Sequence, residues 1–286
     1  MNIIVSSHGG FCYGVRRAYN MVKDVLKKKK KEIYIIGELI HNSFVVKELD
    51  ELGIIRINDL DEIKNFNSVL IIRSHGMPFE LIEKAKSKGM DIVDTTCPFV
   101  KKAQAYAKKL IDEGYFLIII GDKGHEEVEG IHSASGYKGI ILDNHFEFDF
   151  SVFHKHKKIG VVFQTTQNLR DIGSIIPEIF KNFECEELRV FNTICDTTSN
   201  RQEDAKTIGS QVDIMLVVGG KNSANTIRLY DICKAAGVKT YHIQSAEDLE
   251  KKMFKNVTSV GISAGASTPD FIIADIINKL KGIEKE

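Results

Sequence analysis

From end to end the chain alternates two kinds of segment, and that alternation limits its fold more than any other feature. Short apolar runs rich in Ile and Val occur at residues 3–5, 33–36, 69–72, 91–93 and 116–120, and again at 159–163, 188–191, 214–218, 240–243 and 260–262. Runs this short and continuous suit strands buried on both faces, as in parallel sheets. Between most of them lie amphipathic stretches, at 15–30, 79–88, 98–113, 168–183, 199–209, 225–236 and 269–281. The pattern predicts an α/β fold with mostly parallel sheets and right-handed crossovers.

A coarse repeat overlies the alternation. Cys12, Cys97 and Cys195 each follow an apolar run and precede a helical stretch, one near the start of each third of the 286 residues. The repeat predicts three similar α/β lobes at 14–96, 97–194 and 195–286, with segment 1–13 packing on the third lobe or the centre. Ligands of parallel sheets collect at the carboxyl ends of strands. Six polar loops follow strands: Ile40-His41-Asn42-Ser43, Arg73-Ser74-His75-Gly76, Asp122-Lys123-Gly124-His125, Gln164-Thr165-Thr166-Gln167, 219–225 and 263–268. Three lobes would bring three cysteines and these loops to one central cavity.

Charge and composition exclude several classes. Lys plus Arg equals Asp plus Glu at 39 each, so no basic field argues for nucleic acid. No apolar run approaches the roughly 20 residues of a membrane span, and the N-terminus reads as a strand without a signal segment. The expected compartment is the cytoplasm. Five widely spaced cysteines in a reducing compartment point to metal, catalysis or burial rather than to disulfides. The basic run 27–31 reads as the solvated end of the first helix, where cations suit the dipole. Its sharper reading is a docking patch for an acidic electron donor.

A single cysteine behaves most often as a small buried hydrophobe, but a helix N-terminus favours the thiolate. Cys12, Cys97 and Cys195 have that setting. Cys233 shares an apolar stripe with Leu229 and Ala236 and reads as core, while Cys185 lies in a polar region and reads as incidental. Without a Cys-x-x-Cys pair, three isolated thiolates suit a cubane cluster with one open iron better than structural zinc, although the residues alone leave both open. His41, His75 and His125 sit in equivalent loops, among groups able to bind phosphate oxygens. The Gly219-Gly220-Lys221-Asn222-Ser223-Ala224-Asn225 turn is of the kind that binds anions at a helix start, although it is not a P-loop. Gly265-Ala266-Ser267-Thr268-Pro269 is a second such turn, with plain capping by Ser267 or Thr268 as its simpler use. Glu126, Glu127 and Glu129 complement a helix dipole, or one of them serves as a proton donor. His8, His132, His145, His154, His156 and His242 read as structural or solvated. These residues alone also permit a non-catalytic iron–sulfur or zinc sensor that binds a phosphorylated metabolite.

The motifs carry a resemblance. Gly9-Gly10-Phe11-Cys12-Tyr13-Gly14-Val15, Arg73-Ser74-His75-Gly76, Asp94-Thr95-Thr96-Cys97-Pro98, Gly124-His125-Glu126-Glu127-Val128-Glu129-Gly130 and Gln164-Thr165-Thr166 come first. Thr198-Ser199-Asn200-Arg201-Gln202, Val218-Gly219-Gly220-Lys221-Asn222-Ser223 and Ala264-Gly265-Ala266-Ser267-Thr268-Pro269-Asp270 follow in order. Over essentially its whole length the chain resembles the 4-hydroxy-3-methylbut-2-enyl diphosphate reductase family of the non-mevalonate isoprenoid pathway. The resemblance implies a pseudo-threefold trefoil of α/β lobes around a [4Fe-4S] cluster, from which air can remove the open iron to leave [3Fe-4S], with Cys12, Cys97 and Cys195 as ligands. It implies diphosphate binding by His41, His75, His125, Ser223, Asn225 and Ser267, and proton delivery by Glu127 with Thr165 and His125 beside it. It implies an allylic diphosphate substrate held by its hydroxyl on the open iron, two electrons from a donor such as ferredoxin or flavodoxin, and isopentenyl and dimethylallyl diphosphate as products. One position departs from the family pattern: a second serine after Ser223 is here Ala224, which leaves only a backbone N–H to donate.

Overall fold

The computed structural model describes residues 1–28, 30–143, 156–182 and 185–284. Among the described residues the strands form three four-stranded, wholly parallel sheets. One holds β2 (Ile33–Ile36), β3 (Ile54–Ile57), β4 (Val69–Ile72) and β5 (Asp91–Asp94) in the order β3-β2-β4-β5. Another holds β6 (Phe116–Ile120), β7 (Ile140–Leu142), β8 (Lys158–Phe163) and β9 (Glu187–Val190) in the order β7-β6-β8-β9. The third combines the N-terminal β1 (Asn2–Val5) with β10 (Ile214–Val218), β11 (Lys239–Ile243) and β12 (Ser259–Ala264), in the order β11-β10-β12-β1. The three orders are the same, with β1 in the edge place held elsewhere by β5 and β9. Each of these three edge strands leads into a cysteine: Cys12 after β1, Cys97 after β5 and Cys195 after β9.

The helices are α1 (Tyr13–Lys28), α2 (Ser43–Glu51), α3 (Phe79–Ser87), α4 (Pro98–Asp112), α5 (Glu126–Ala134), α6 (Leu169–Asn182), α7 (Asp196–Gly209), α8 (Ala224–Ala235) and α9 (Asp270–Glu284). Two strands and two helices go beyond the sequence pattern. Both β3 and β7 are edge strands paired on one side only, and the β3 burial is interrupted by exposed Ile55 and Arg56 instead of running continuously. The helices α2 and α5 have only nine residues each. Helix α1 starts two residues before the expected stretch and α7 three, which places Cys12 and Cys195 directly ahead of them.

Two compact units divide the chain. The first comprises Met1–Arg16, Ile40–Glu48 and Asp196–Glu286, and the second Arg17–Leu39 and Leu49–Cys195. In the first, successive side chains of β10 serve opposite faces, as strand geometry requires. Met215 and Val217 pack with Ala205, Ile208, Leu229 and Cys233, whereas Leu216 and Val218 pack with Ile272, Ile276 and Leu280. In the second, β6 does the same. Leu117 and Ile119 meet Ala103, Ala107, Leu110 and Ile131, and Ile118 and Ile120 meet Phe163 and Ile179. A third core, under β2 and β4, gathers Ile36, Leu70, Ile72, Met77 and Ala85. No helix among the described residues is long and apolar enough to cross a membrane.

Candidate active site

In the second unit, the loops that carry Cys97 and Cys195 are built alike. Asp94 and Asn192, three residues before each cysteine, accept the N–H of Thr96 and Ile194. Thr95 and Thr193, two residues before, donate their hydroxyls to the carbonyls of Ile72 and Phe163 at neighbouring strand ends. The cysteine N–H groups then reach the carbonyls of Ser74 at 2.9 Å and Thr165 at 3.1 Å. Cys97 is the N-cap of α4, with Pro98 in the first turn. Both thiols are half-buried at helix starts, the setting that favours thiolate.

Glu127 lies in the first turn of α5, 1% exposed. Thr165 holds both of its carboxyl oxygens: the Thr165 N–H donates to Oε1 at 2.5 Å and its hydroxyl to Oε2 at 2.9 Å. The same Thr165 offers its carbonyl to Cys195, so carboxyl and cysteine loop share one anchor. His125 is the N-cap of α5, and its Nδ1 accepts the Glu127 N–H at 3.1 Å. An accepting Nδ1 places the ring proton on Nε2, which leaves an N–H donor on the far side of the ring. The rings of His75 and His125 meet edge to face, 5.7 Å apart. Arg73, two residues before His75, pairs with Glu126 at 3.0 Å, with side-chain exposures of only 12% and 29%. Burial draws the Arg73 pKa below its usual value, and the Glu126 and Glu38 carboxylates oppose that shift.

The first unit assembles the other candidates. Cys12, also half-buried, directly precedes α1; its N–H donates to Ala266 O at 3.1 Å and its Sγ accepts the Val15 N–H at 3.4 Å. Ser267 donates to the His41 carbonyl at 3.1 Å. Gly220 lies so close that a Cβ there would be 2.5 Å from that same carbonyl. Ser223 is the N-cap of α8 and accepts the Thr226 N–H. Asn225, in the first turn, is 5% exposed, and its Nδ2 is buried without a hydrogen-bond partner. A buried amide donor left open this way is costly unless a ligand completes it. Ala224 opens the helix, where backbone N–H groups have no intrahelical acceptor. His41, Gly220, the Ser223–Asn225 turn and Ser267 thus lie together within this unit.

The remaining expectations sort by surroundings. Cys233 is fully buried, and desolvation pushes its thiol pKa up to about 11. Cys185 is not merely incidental, because it packs against the β8–β9 core. His156 stacks on Phe116, His132 meets Tyr137 edge to face, and the His242 ring contacts the Gly219 carbonyl at 3.1 Å. His145, His154 and Lys29 of the basic run lie outside the described residues. Within that run, Lys27 pairs with Asp24 and Lys31 with Asp91. Sequence reasoning missed the supporting residues. Gln164, fully buried, accepts the Asp122 N–H and so ties the loop of His125 to that of Thr165. Arg17 reaches the carbonyls of Thr95 and Thr96 ahead of Cys97. Gln164 and Arg73 stand inside motifs in which Thr165 and His75 carry the stronger chemical signal.

A family model described as LytB protein matches residues 3–281. The 4-hydroxy-3-methylbut-2-enyl diphosphate reductase of Pelobacter propionicus is 42% identical over 286 residues and 100% of both chains. That of Aquifex aeolicus is 41% identical over 287 residues, 99% of this chain and 97% of its own. A solved structure of (E)-4-hydroxy-3-methyl-but-2-enyl diphosphate reductase, the terminal enzyme of the non-mevalonate pathway, aligns with a TM-score of 0.73 at 40% identity, over 99% of this chain and 100% of that one. The E-1-hydroxy-2-methyl-but-2-enyl-4-diphosphate reductase from Plasmodium falciparum aligns with a TM-score of 0.88 at 29% identity, over 98% and 88%. The chain is an enzyme of the LytB family, the family of these reductases.

Proposed function

We propose that this chain converts (E)-4-hydroxy-3-methylbut-2-enyl diphosphate, two electrons and two protons into isopentenyl or dimethylallyl diphosphate and water. The observation that carries the proposal is the buried Glu127 carboxyl with both oxygens held by Thr165. A carboxyl fixed in one orientation beside a cysteine loop suits delivery of a proton to a leaving hydroxyl. A sensor of phosphorylated metabolites has no use for such a group.

The donor set fits an iron–sulfur cluster. Three half-buried thiols, each at a helix start, offer thiolate ligands without a fourth. Cys12, Cys97 and Cys195 would hold a [4Fe-4S] cluster, which when bound supplies one-electron transfers and an iron with an open coordination position. The chain itself binds, orients and protonates. Ser223, Asn225, Ser267 and His41 receive the diphosphate, with the open Asn225 amide as one donor. His75 and His125 add imidazole N–H groups, His125 through Nε2. Neutral donors suffice because several converge, and charge-assisted bonds to phosphate oxygens are strong. Glu127 gives the proton with which the allylic hydroxyl departs as water. The three lobes 14–96, 97–194 and 195–286, with 1–13 added to the third, are the proposed scaffold, and a ferredoxin- or flavodoxin-type protein is the proposed donor.

The test is an anaerobic assay of the reconstituted chain with the allylic diphosphate and a one-electron reductant. Formation of either isomeric diphosphate, with iron and sulfide bound, is expected. Zinc without sulfide and no product would overturn the reading in favour of the sensor.

A further inference from the structure

The loops of Cys97 and Cys195 are short and lock themselves through an Asp or Asn and a Thr at matching places. The loop of Cys12 cannot use that device. Seven residues, Ser6 to Cys12, follow the end of β1, and neither a Thr two residues before the cysteine nor an Asp or Asn three before is present. Two of the seven are glycines, and Gly10 has a φ of 90°. A segment of this kind has a high conformational entropy and needs outside anchors.

The anchors come from α7. Asp204 accepts the hydroxyls of Ser6 and Ser7, at 2.5 and 3.4 Å. One turn earlier, Arg201 donates from Nε to the His8 carbonyl and from Nη2 to the Gly10 carbonyl. Its side chain is among the largest fully buried ones, 2% exposed. A buried guanidinium is costly unless acceptors or opposite charge surround it. The planar fork suits two carbonyls two residues apart, which a lysine cannot span. Asp270 closes the other side of Gly10, where a Cβ would strike its Oδ1.

We propose that Arg201 is the positioning residue of Cys12: its buried guanidinium holds the His8 and Gly10 carbonyls and so fixes the thiol as a cluster ligand. The inference rests on the reading of Cys12 as such a ligand. Groups that orient a ligand commonly alter metal affinity by roughly 10- to 100-fold.

The experiment follows iron release to a chelator, under anaerobic conditions, from reconstituted wild type, Arg201→Met, Arg201→Lys and Ile276→Val. The last variant trims the α9 core of the same unit and controls for lost stability. Release from Arg201→Met is expected about ten-fold faster than from wild type, with Arg201→Lys in between and Ile276→Val unchanged. Electron paramagnetic resonance of the one-electron-reduced cluster should change in Arg201→Met and not in Ile276→Val. Wild-type release and spectrum in Arg201→Met would overturn the inference, as would equal acceleration in an Ile276→Val protein of matched melting temperature. A wild-type chain that takes up no iron and sulfide would sink the parent reading together with this one.

Discussion

Both carboxyl oxygens of Glu127 are held by one residue, Thr165, through its backbone N–H and its hydroxyl. The pair joins the loop after β8 to the first turn of α5, and the Thr165 carbonyl extends the link to Cys195. A proposed proton donor, a hydroxyl and a candidate cluster ligand therefore share one rigid connection.

Glu127→Gln keeps the size of the side chain and an oxygen for the Thr165 N–H, but it has no acidic proton. Turnover should fall by roughly 100- to 10,000-fold, the usual reach of general acid catalysis, while iron, sulfide and substrate binding stay at wild-type levels. Steady-state assays beside metal analysis check this. Near-normal turnover would remove Glu127 from the proton role.

Thr165→Val separates the two bonds, because it retains the N–H and deletes the hydroxyl. Loss of a donor to a buried carboxyl costs about 1–3 kcal/mol. The expected result is a lower melting temperature and a lower kcat, with Thr165→Ser close to wild type in both. A Thr165→Val enzyme with full kcat would confine the hydroxyl to packing.

What the sequence made legible follows from how local each signal is. Interior strands such as β2, β4, β6 and β10 declare themselves by continuous apolar runs, because both faces are covered. The strands β3 and β7 are less legible: Arg56 with exposed Ile55 interrupts β3, and β7 has only three residues. Cys12, Cys97 and Cys195 were legible as a repeat because each follows an edge strand and opens a helix. The pairing of β1 with β12 is a contact between opposite ends of the chain, which no periodicity encodes. Arg201 is the extreme case. Its acceptor His8 lies 193 positions away, and within α7 the residue reads as one more charged position on a helix of polar character.

Gly220→Ala tests the proposed diphosphate site. A Cβ at this position would stand 2.5 Å from the His41 carbonyl oxygen and 3.1 Å from Asn222 Oδ1. Backbone must move, and the carbonyl that Ser267 uses moves with it. Overpacking of this kind costs about 1–3 kcal/mol; about 1.4 kcal/mol of it carried into binding raises KM for the diphosphate substrate roughly ten-fold. Iron content should stay unchanged. An unaltered KM would separate the His41–Gly220 contact from substrate binding.

Cys233 and the three loop cysteines should differ in reactivity. With its pKa pushed up to about 11 by burial, Cys233 at pH 8 holds a thiolate fraction on the order of one in a thousand. Alkylation of the folded, cluster-stripped chain should mark Cys12, Cys97 and Cys195 first and leave Cys233 unmarked until the chain unfolds. Peptide mass mapping over time reads the order. Cys233→Ser should keep its cluster and lose some stability, since the thiol packs among Ala205, Leu229 and Ile208.

Asp213 anchors the start of β12. Its Oδ2 accepts four hydrogen bonds, from the N–H and hydroxyl of Thr258 and from the N–H and hydroxyl of Ser259. The Thr258 hydroxyl and the backbone donors stabilise the charged form and lower the pKa from 3.8 to about 2. A depressed folded-state value means that the stabilisation is full above about 3.8 and is lost as the pH falls through about 2. Asp213→Asn retains the shape and one oxygen for those donors but removes the charge. The variant should melt below wild type at pH 7, and the gap should close between pH 4 and pH 2, read by circular dichroism at each pH. A gap that persists undiminished at pH 2 would show that shape, not charge, makes the anchor.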